Sequence, residues 1–163
     1  FNVLLGYRRT IVLDEPGTTL DLIQEKVDWA NLALLDSQGI YSEGDTKVLH
    51  QVIEAADVCL FMVDAIAGLT PFDEWIGRVL HMSQKPVLLV INKCESKQAY
   101  EESEFSKLKF EEYVTVSVSH RTNLNFIKES LVIFESTIYS KYILQNNKIV
   151  IDNKFKNINV LMY

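Results

Sequence analysis

Two short segments dominate the hydrophobic pattern of the chain, at residues 57–64 and 86–92, each apolar throughout except for the polar residues at its ends, Asp57, Asp64 and Asn92. Both are too short for a helix buried on all sides, and such runs are typical of central strands in a parallel sheet, which is covered on both faces. Between them, residues 70–83 place apolar side chains on one helical face, with Thr70 and Pro71 as an N-cap and a first-turn proline. The segment therefore predicts a β-α-β unit.

Weaker patterns extend this alternation in both directions. They predict strands at 23–29, 32–35 and 113–116, and helices at 42–56, 99–107 and 123–142. Alternating strands and helices favour an α/β fold with a doubly wound sheet. The composition agrees, because 163 residues with 48% hydrophobic and 23% charged side chains are typical of one globular domain rather than a disordered or coiled-coil chain.

Charge and cysteine content restrict the partners and the compartment. The 16 basic and 22 acidic residues give a net charge of -6, which argues against a broad electrostatic grip on nucleic acid. Cys59 and Cys94 form neither a disulfide framework nor a zinc spacing, which favours a reducing, cytoplasmic location. No apolar stretch approaches the roughly 18 residues of a membrane span, so no membrane partner is expected.

The composition changes near the end of the long predicted helix. Residues 144–156 are polar and rich in asparagine, which predicts a linker, whereas residues 157–163 resemble the start of a new strand. The chain also begins at Phe1 without an initiator Met, which suggests a fragment. We therefore predict an incomplete domain over residues 1–143, a linker over 144–156 and the start of a second domain at 157–163.

Two loops that follow predicted strands carry side chains suited to a ligand site, because ligands of open parallel sheets bind beyond the carboxyl ends of the strands. Asp36 and Gly39 suit a metal-water ligand and a backbone amide that approaches a phosphate, although ordinary turns share this spacing. Asn92, Lys93 and Glu95 follow a buried strand. A carboxylate there can accept two hydrogen bonds from guanine, whereas adenine lacks that donor pair. A solvated loop with a helix-capping acid is the alternative.

Two further loops are less specific. Residues 117–119 offer hydroxyls and backbone amides that could meet a base carbonyl, although serine at a strand end is mostly a helix cap. Residues 16–19, with Asp21, supply two hydroxyls that could ligate Mg²⁺ and phosphate or only form a turn. In isolation, neither loop decides between the two interpretations.

Taken in order, these loops resemble the signature segments of a translation-factor-type GTPase. The similarity is to the first GTPase domain of the Der (EngA) family, bacterial proteins with two tandem GTPase domains that assist assembly of the large ribosomal subunit. It rests on residues 8–21, 36–40, 56–74 and 85–93, and it extends from residue 1 to about residue 134. The stretch ending at residues 68–71, Gly-Leu-Thr-Pro, is the most specific part.

The resemblance implies a P-loop GTPase-like (Ras-like) fold, GTP as substrate, GDP as product, and Mg²⁺, with K⁺ as a further candidate. The binding residues that the resemblance implies lie in the four loops described above. They are Thr19, Asp36, Gly39, Asn92, Lys93, Glu95, Ser117 and Val118. Thr19 and Asp36 would ligate Mg²⁺, Gly39 would sense the γ-phosphate, and the remaining residues would hold guanine. The implied partners are the large ribosomal subunit and the second GTPase domain of the same parent chain.

Several positions depart from the family pattern. Glu95 stands where the family has Asp, and Leu20, Gln38 and Val118 replace its usual Arg, Gly and Ala. Ile40 occupies the place where many GTPases have a water-orienting glutamine, which is consistent with the family's hydrophobic substitution there. No catalytic residue is assigned. A phosphate-binding loop needs Gly-x-x-x-x-Gly-Lys-Ser/Thr, and no lysine in this chain follows a glycine. We therefore predict a sheet that lacks its first strand and phosphate loop, and weak GTP binding by this chain.

Two other functions compete with a GTPase. The first is a catalytically inactive, GTPase-like interaction module, which the departures at Gln38 and Glu95 favour. The second is a phospho-acceptor receiver domain, which also places an Asp (here Asp64) and a Lys (Lys93) at strand ends but needs an acidic pair on its first strand. The three histidines have no partner spacing, so we expect them at surface or helix positions: His50, His81 and His120.

Overall fold

The computed structural model describes residues 2–6, 22–37, 43–95, 102–146 and 158–162. Its helices are α1 (Asn2–Leu5), α2 (Thr46–Ala55), α3 (Pro71–Ser83), α4 (Glu102–Phe105) and α5 (Leu124–Asn146), with short 3₁₀ helices at Glu43–Asp45 and Ser106–Leu108. Its strands are β1 (Leu22–Lys26), β2 (Leu32–Ser37), β3 (Val58–Asp64), β4 (Val87–Asn92), β5 (Tyr113–Thr115) and β6 (Ile158–Met162). The predicted α/β class is confirmed.

The strands form one sheet of six in the order β1-β2-β6-β3-β4-β5. β1 runs antiparallel to β2, and every other neighbouring pair is parallel. The carboxyl ends of β2, β6, β3, β4 and β5 therefore meet at one edge of the sheet, which we call the carboxyl edge. Ligand sites of open α/β sheets lie at this edge.

β6 joins the two parts of the sheet. Its Val160 pairs with Leu34 of β2 and with Val58 of β3. The position that the sequence prediction left vacant for a first strand is thus occupied by the strand predicted at residues 157–163. The division into residues 1–143, 144–156 and 157–163 stays a prediction, and residues 147–157 lie outside the described part of the chain.

Burial on both faces explains why the predicted strands are apolar at successive positions. In β3, Phe61 and Val63 pack in a core cluster with α2 and α3, whereas Val58 and Leu60 pack in a second cluster with α1 and α5. Because side chains alternate between the faces of a strand, a sheet covered on both sides needs apolar residues at each position. The resulting core holds the carboxyl edge in place from both faces.

The predicted start of α3 is confirmed. The Thr70 hydroxyl accepts a hydrogen bond from the Asp73 amide (3.1 Å), the Asp73 carboxylate accepts one from the Thr70 amide (2.9 Å), and Pro71 occupies the first turn. This capping box satisfies backbone donors that the first helical turn leaves without partners. Within the described residues, no helix has the length and apolar character needed to cross a membrane.

Several predicted elements differ in extent. The strand predicted at 32–35 reaches Ser37, and the helix predicted at 123–142 covers Leu124–Asn146. The strand predicted at 23–29 ends at Lys26, because the Val27 amide bonds the Leu32 carbonyl (3.1 Å) and closes a hairpin. The helix predicted at 42–56 begins as a 3₁₀ turn and becomes α-helical at Thr46. In the helix predicted at 99–107, the described residues form α4 and then a tighter 3₁₀ turn that ends at Lys109 in the left-handed region (φ 56°).

Candidate functional site

Two parts of the carboxyl edge hold the predicted site residues that the structure describes. The base side consists of residues 92–95 after β4 and residues 117–120 after β5. The phosphate side consists of Asp36 on β2 and the carboxyl end of β6. Thr19 and Gly39 lie outside the described residues.

The base side is built where two neighbouring parallel strands end. β4 ends at Asn92, and Lys93 adopts a left-handed backbone conformation (φ 66°) that turns the chain away from the strand. The Cys94 amide then bonds the Val116 carbonyl (3.0 Å), which ties this turn to the end of the neighbouring segment. The two loops are therefore held together by the backbone before any side chain is considered.

Asn92 links the two loops through its side chain. Its Oδ1 accepts a hydrogen bond from the Val118 amide (3.1 Å), and its Nδ2 lies 3.7 Å from the Met62 sulfur. The structure thus brings together two residues that the sequence placed in the base-binding set. Because this contact uses the backbone of Val118, replacing the family's usual Ala by Val leaves the hydrogen-bonding group unchanged.

Glu95 is held by three side chains of the second loop. Its Oε1 accepts a hydrogen bond from the Ser119 hydroxyl (2.8 Å) and lies 3.3 Å from His120 Nδ1 and 3.4 Å from the Ser117 hydroxyl. The bond from Ser119, followed by the His120 charge and the other donors, lowers the pKa of Glu95 below its usual value. The carboxylate is therefore ionised at neutral pH and can act as a hydrogen-bond acceptor.

Lys93 contacts the neighbouring strand end. Its Nζ lies 2.5 Å from Asp64 Oδ2, while Asp64 Oδ1 accepts hydrogen bonds from the amides of Ile66 (2.9 Å) and Ala67 (3.3 Å). These contacts, led by the bond from Lys93, lower the pKa of Asp64. The lysine is thereby anchored to a carboxylate that also shapes the turn after β3.

The phosphate side has a different character. Asp36 lies at the end of β2, where it pairs in register with Met162 of β6. Its side chain is half-buried, and this burial raises the pKa of the Asp36 carboxyl. No described residue donates a hydrogen bond to this carboxylate. Such a carboxylate suits a role as an oxygen ligand for a hard cation.

The fit to Mg²⁺ follows from the donors present. No group of three or more His, Cys, Asp or Glu side chains among the described residues could hold a metal by itself. Mg²⁺ commonly binds through one or two protein oxygens while keeping waters and substrate phosphates as its other ligands. One carboxylate at Asp36 is compatible with that mode. A receiver domain needs an acidic pair near its acceptor aspartate, and among the described residues no group of three acidic or metal-binding side chains surrounds Asp64. The receiver-domain alternative therefore gains no support.

The sequence places Ser119 in a loop that could meet a base carbonyl, but it indicates no contact of Ser119 or His120 with Glu95. His120 was expected to be a surface residue, and it is exposed, but it also contacts the Glu95 carboxylate. The available signal is the position of both residues within three positions of Ser117, in or next to the loop of residues 117–119. Ser117 itself is 1% exposed, so it lies beneath the loop, whereas Ser119 lies at its surface.

Comparisons with known proteins identify the family. Residues 1–93 match the family model described as 50S ribosome-binding GTPase. The relatives named GTPase Der include those of Natranaerobius thermophilus (36% identical over 140 residues, 81% of this chain and 32% of the relative) and Clostridium botulinum strain Okra (36% over 142 residues, 81% and 32%). That of Aquifex aeolicus is 35% identical over 142 residues (81% and 33%). The chain spans about a third of the length of these relatives.

Proposed function

Because the chain belongs to the family of 50S ribosome-binding GTPases, we propose that it supplies the guanine-binding part of a Der-like protein that hydrolyses GTP and assists assembly of the large ribosomal subunit. The observation that carries this proposal is the convergence of the two loops of the base side. Asn92 bonds Val118, and Glu95 bonds Ser119, so both side chains are fixed at the carboxyl edge.

Base choice follows from the chemistry of Glu95. An ionised carboxylate only accepts hydrogen bonds, and guanine presents N–H donors at N1 and at its 2-amino group. Adenine presents an acceptor at N1, which the carboxylate repels. Ser117 and Val118 would lie beneath the base, and Lys93, anchored by Asp64, would border it. The lowered pKa of Glu95 keeps this preference intact at neutral pH.

The phosphate side would receive the triphosphate. Asp36 and Thr19 would hold Mg²⁺, and Gly39 would approach the γ-phosphate. Bound Mg²⁺ supplies charge neutralisation on the phosphate oxygens. The support for Asp36 is its half-buried carboxylate with a raised pKa, while K⁺ rests on the family resemblance alone.

We infer that this chain by itself binds GTP weakly. The Gly-x-x-x-x-Gly-Lys-Ser/Thr sequence that supplies backbone amides and a lysine to the phosphates does not occur in it. The proposed partners are GTP and GDP, the large ribosomal subunit and a second GTPase domain of the same parent protein. The proposed location is the cytoplasm.

Nucleoside titration tests base recognition without relying on phosphate contacts. In ¹⁵N-labelled chain followed by NMR, millimolar guanosine should shift the amides of residues 92–95 and 117–119. Adenosine should bind at least about tenfold more weakly, because it lacks the donors for Glu95. Equal binding of the two nucleosides, or none, would overturn the proposal and favour the inactive interaction module. A separate titration with a fluorescent GTP analogue should show no micromolar binding.

A further inference from the structure

The two oxygens of the Glu95 carboxylate have unequal surroundings. Ser119, His120 and Ser117 all approach Oε1, at 2.8, 3.3 and 3.4 Å. Among the described residues, no donor is bonded to Oε2. This asymmetry is distinct from the general requirement for an acid at this position, because it assigns different tasks to the two oxygens.

Hydrogen-bond capacity makes the asymmetry consequential. A carboxylate oxygen accepts about two hydrogen bonds. The Ser119 hydroxyl donates one to Oε1 (2.8 Å), and the Ser117 hydroxyl donates a longer one (3.4 Å). His120 Nδ1 lies 3.3 Å from Oε1 and is itself hydrogen-bonded to the two serine hydroxyls (3.1 Å each). Oε1 then has no capacity left for a base, whereas no described residue occupies an acceptor site of Oε2.

Glu95 contacts the second loop through the end of a flexible side chain. Glutamate has one methylene more than aspartate, and its carboxylate here contacts the loop of residues 117–120. An exposed glutamate would otherwise sample many rotamers and would lose that freedom on binding a ligand. Contacts to Ser119 and His120 restrict the rotamers before any ligand arrives.

We propose that Ser119 and His120 are positioning residues that hold Glu95 through Oε1 and present Oε2 alone to the base. The site then recognises 6-oxopurines, guanine or hypoxanthine, chiefly through their N1–H donor. The 2-amino group of guanine contributes little, because its expected acceptor is already occupied. This inference rests on the proposed function, since it concerns the same base site.

Inosine separates this proposal from ordinary two-oxygen recognition, because its hypoxanthine base keeps N1–H and lacks the 2-amino group. In NMR titrations of the 163-residue chain, we expect guanosine and inosine to bind within about threefold of each other. Adenosine should bind at least about tenfold more weakly than either. A guanosine preference of tenfold or more over inosine would overturn the one-oxygen arrangement.

Ser119→Ala tests the positioning role. Ser119 is exposed, so the fold should tolerate this change. Without Ser119, Glu95 is held less firmly, which should weaken the binding of inosine. Guanosine can compensate, because the freed Oε1 can accept a hydrogen bond from its 2-amino group. The ratio of guanosine affinity to inosine affinity should therefore widen beyond about fivefold. The ¹³C titration of the Glu95 carboxyl should also move to higher pH, because a donor to its ionised form has been removed.

Two further variants complete the design. Ser119→Thr keeps the hydroxyl and should restore both the ratio and the Glu95 titration. Ser140→Ala removes a hydroxyl that bonds the Ser136 carbonyl on α5 and should change neither. If Ser119→Ala leaves the ratio and the titration unchanged, the positioning role is wrong while the guanine site stands. If the unmodified chain does not prefer guanosine over adenosine, the proposed function itself fails.

Discussion

The base side and the phosphate side of the carboxyl edge shift the pKa values of their carboxyl groups in opposite directions. Hydrogen bonds from Ser119 and Lys93 lower the pKa values of Glu95 and Asp64, respectively. Burial instead raises the pKa of Asp36. On the base side, the chain itself stabilises the negative charges, whereas on the phosphate side it leaves a charge that a cation could stabilise. One edge therefore combines carboxylates held by hydrogen bonds with a carboxylate at a position suited to a cation.

The two sides also differ in which strands support them. The base side lies on β4 and β5 and touches the end of β3, which pairs directly with β4. The phosphate side lies on β2, which is joined to β3 only through β6 among the described strands. Changes in β6 should therefore affect the phosphate side first.

The largest expected effect comes from Leu161→Ala in β6. Leu161 is 0% exposed and packs in the core cluster between the sheet and α2 and α3. Truncating a buried leucine typically costs about 2 to 5 kcal/mol, and urea denaturation should show a loss in this range. Hydrogen exchange should show greater loss of protection in β2 than in β4. Val132→Ala, at a side chain that is 40% exposed, is the control and should cost less than about 0.5 kcal/mol. A cost below about 1 kcal/mol for Leu161→Ala would contradict the central position of β6.

Removing the base-side carboxylate should have the next largest effect. Glu95→Ala deletes a charge-assisted hydrogen bond to the base, which belongs to the stronger class of hydrogen bonds. Guanosine affinity in the NMR titration should fall at least about tenfold, with little change for adenosine. Glu95→Asp keeps a carboxylate and should keep the preference for guanosine. Glu54→Ala on α2 is the matched control, and an equal loss there would point to an indirect effect.

Asp36→Asn tests whether burial of the carboxylate on the phosphate side destabilises the fold. The folded-state pKa of Asp36 is raised, so the folded protein favours the protonated carboxyl. The contribution of Asp36 to the free energy of unfolding is therefore favourable below the unfolded pKa and is lost as pH rises through the folded pKa. The ionised side chain thus destabilises the ligand-free fold at pH 7, and Asn should increase the free energy of unfolding there. The gain should disappear below about pH 4, where the carboxyl is protonated. Urea denaturation at the two pH values measures it, and a loss of stability at pH 7 would contradict the assignment.

Asp64→Asn should give the smallest effect. The folded-state pKa of Asp64 is lowered, so its stabilisation is present above the unfolded pKa, near 3.9, and is lost as pH falls through the folded value. Since the ion pair with Lys93 is well exposed, the loss at pH 7 should be below about 1 kcal/mol. Urea denaturation in low salt and in about 1 M NaCl should show the difference shrinking as salt screens the pair. A difference that salt leaves unchanged would assign the effect to the turn after β3 instead.

The sequence predicted those parts of the fold in which burial or helix capping alone determines the type of residue at each position. β3 and β4 follow from continuous burial, and α3 follows from its cap at Thr70 and its apolar face. The position of β6 could not be predicted, because an apolar run indicates burial without indicating which strands it will lie between. At the site, residue types and strand ends indicated Asn92 and Glu95. The contacts of Ser119 and His120 could not be foreseen, because they depend on side-chain rotamers and on how closely two loops approach.

The pairing of β6 also has a kinetic consequence. Its partner residues in β2 and β3 lie about a hundred or more positions earlier in the chain. A chain made from its amino end exposes β2 and β3 while β6 has yet to be synthesised, and closing so long a loop is entropically slow. Pairing of β2 and β3 with β6 should therefore wait until β6 is synthesised, and until then the strand edges that β6 covers stay open to chaperones or to aggregation.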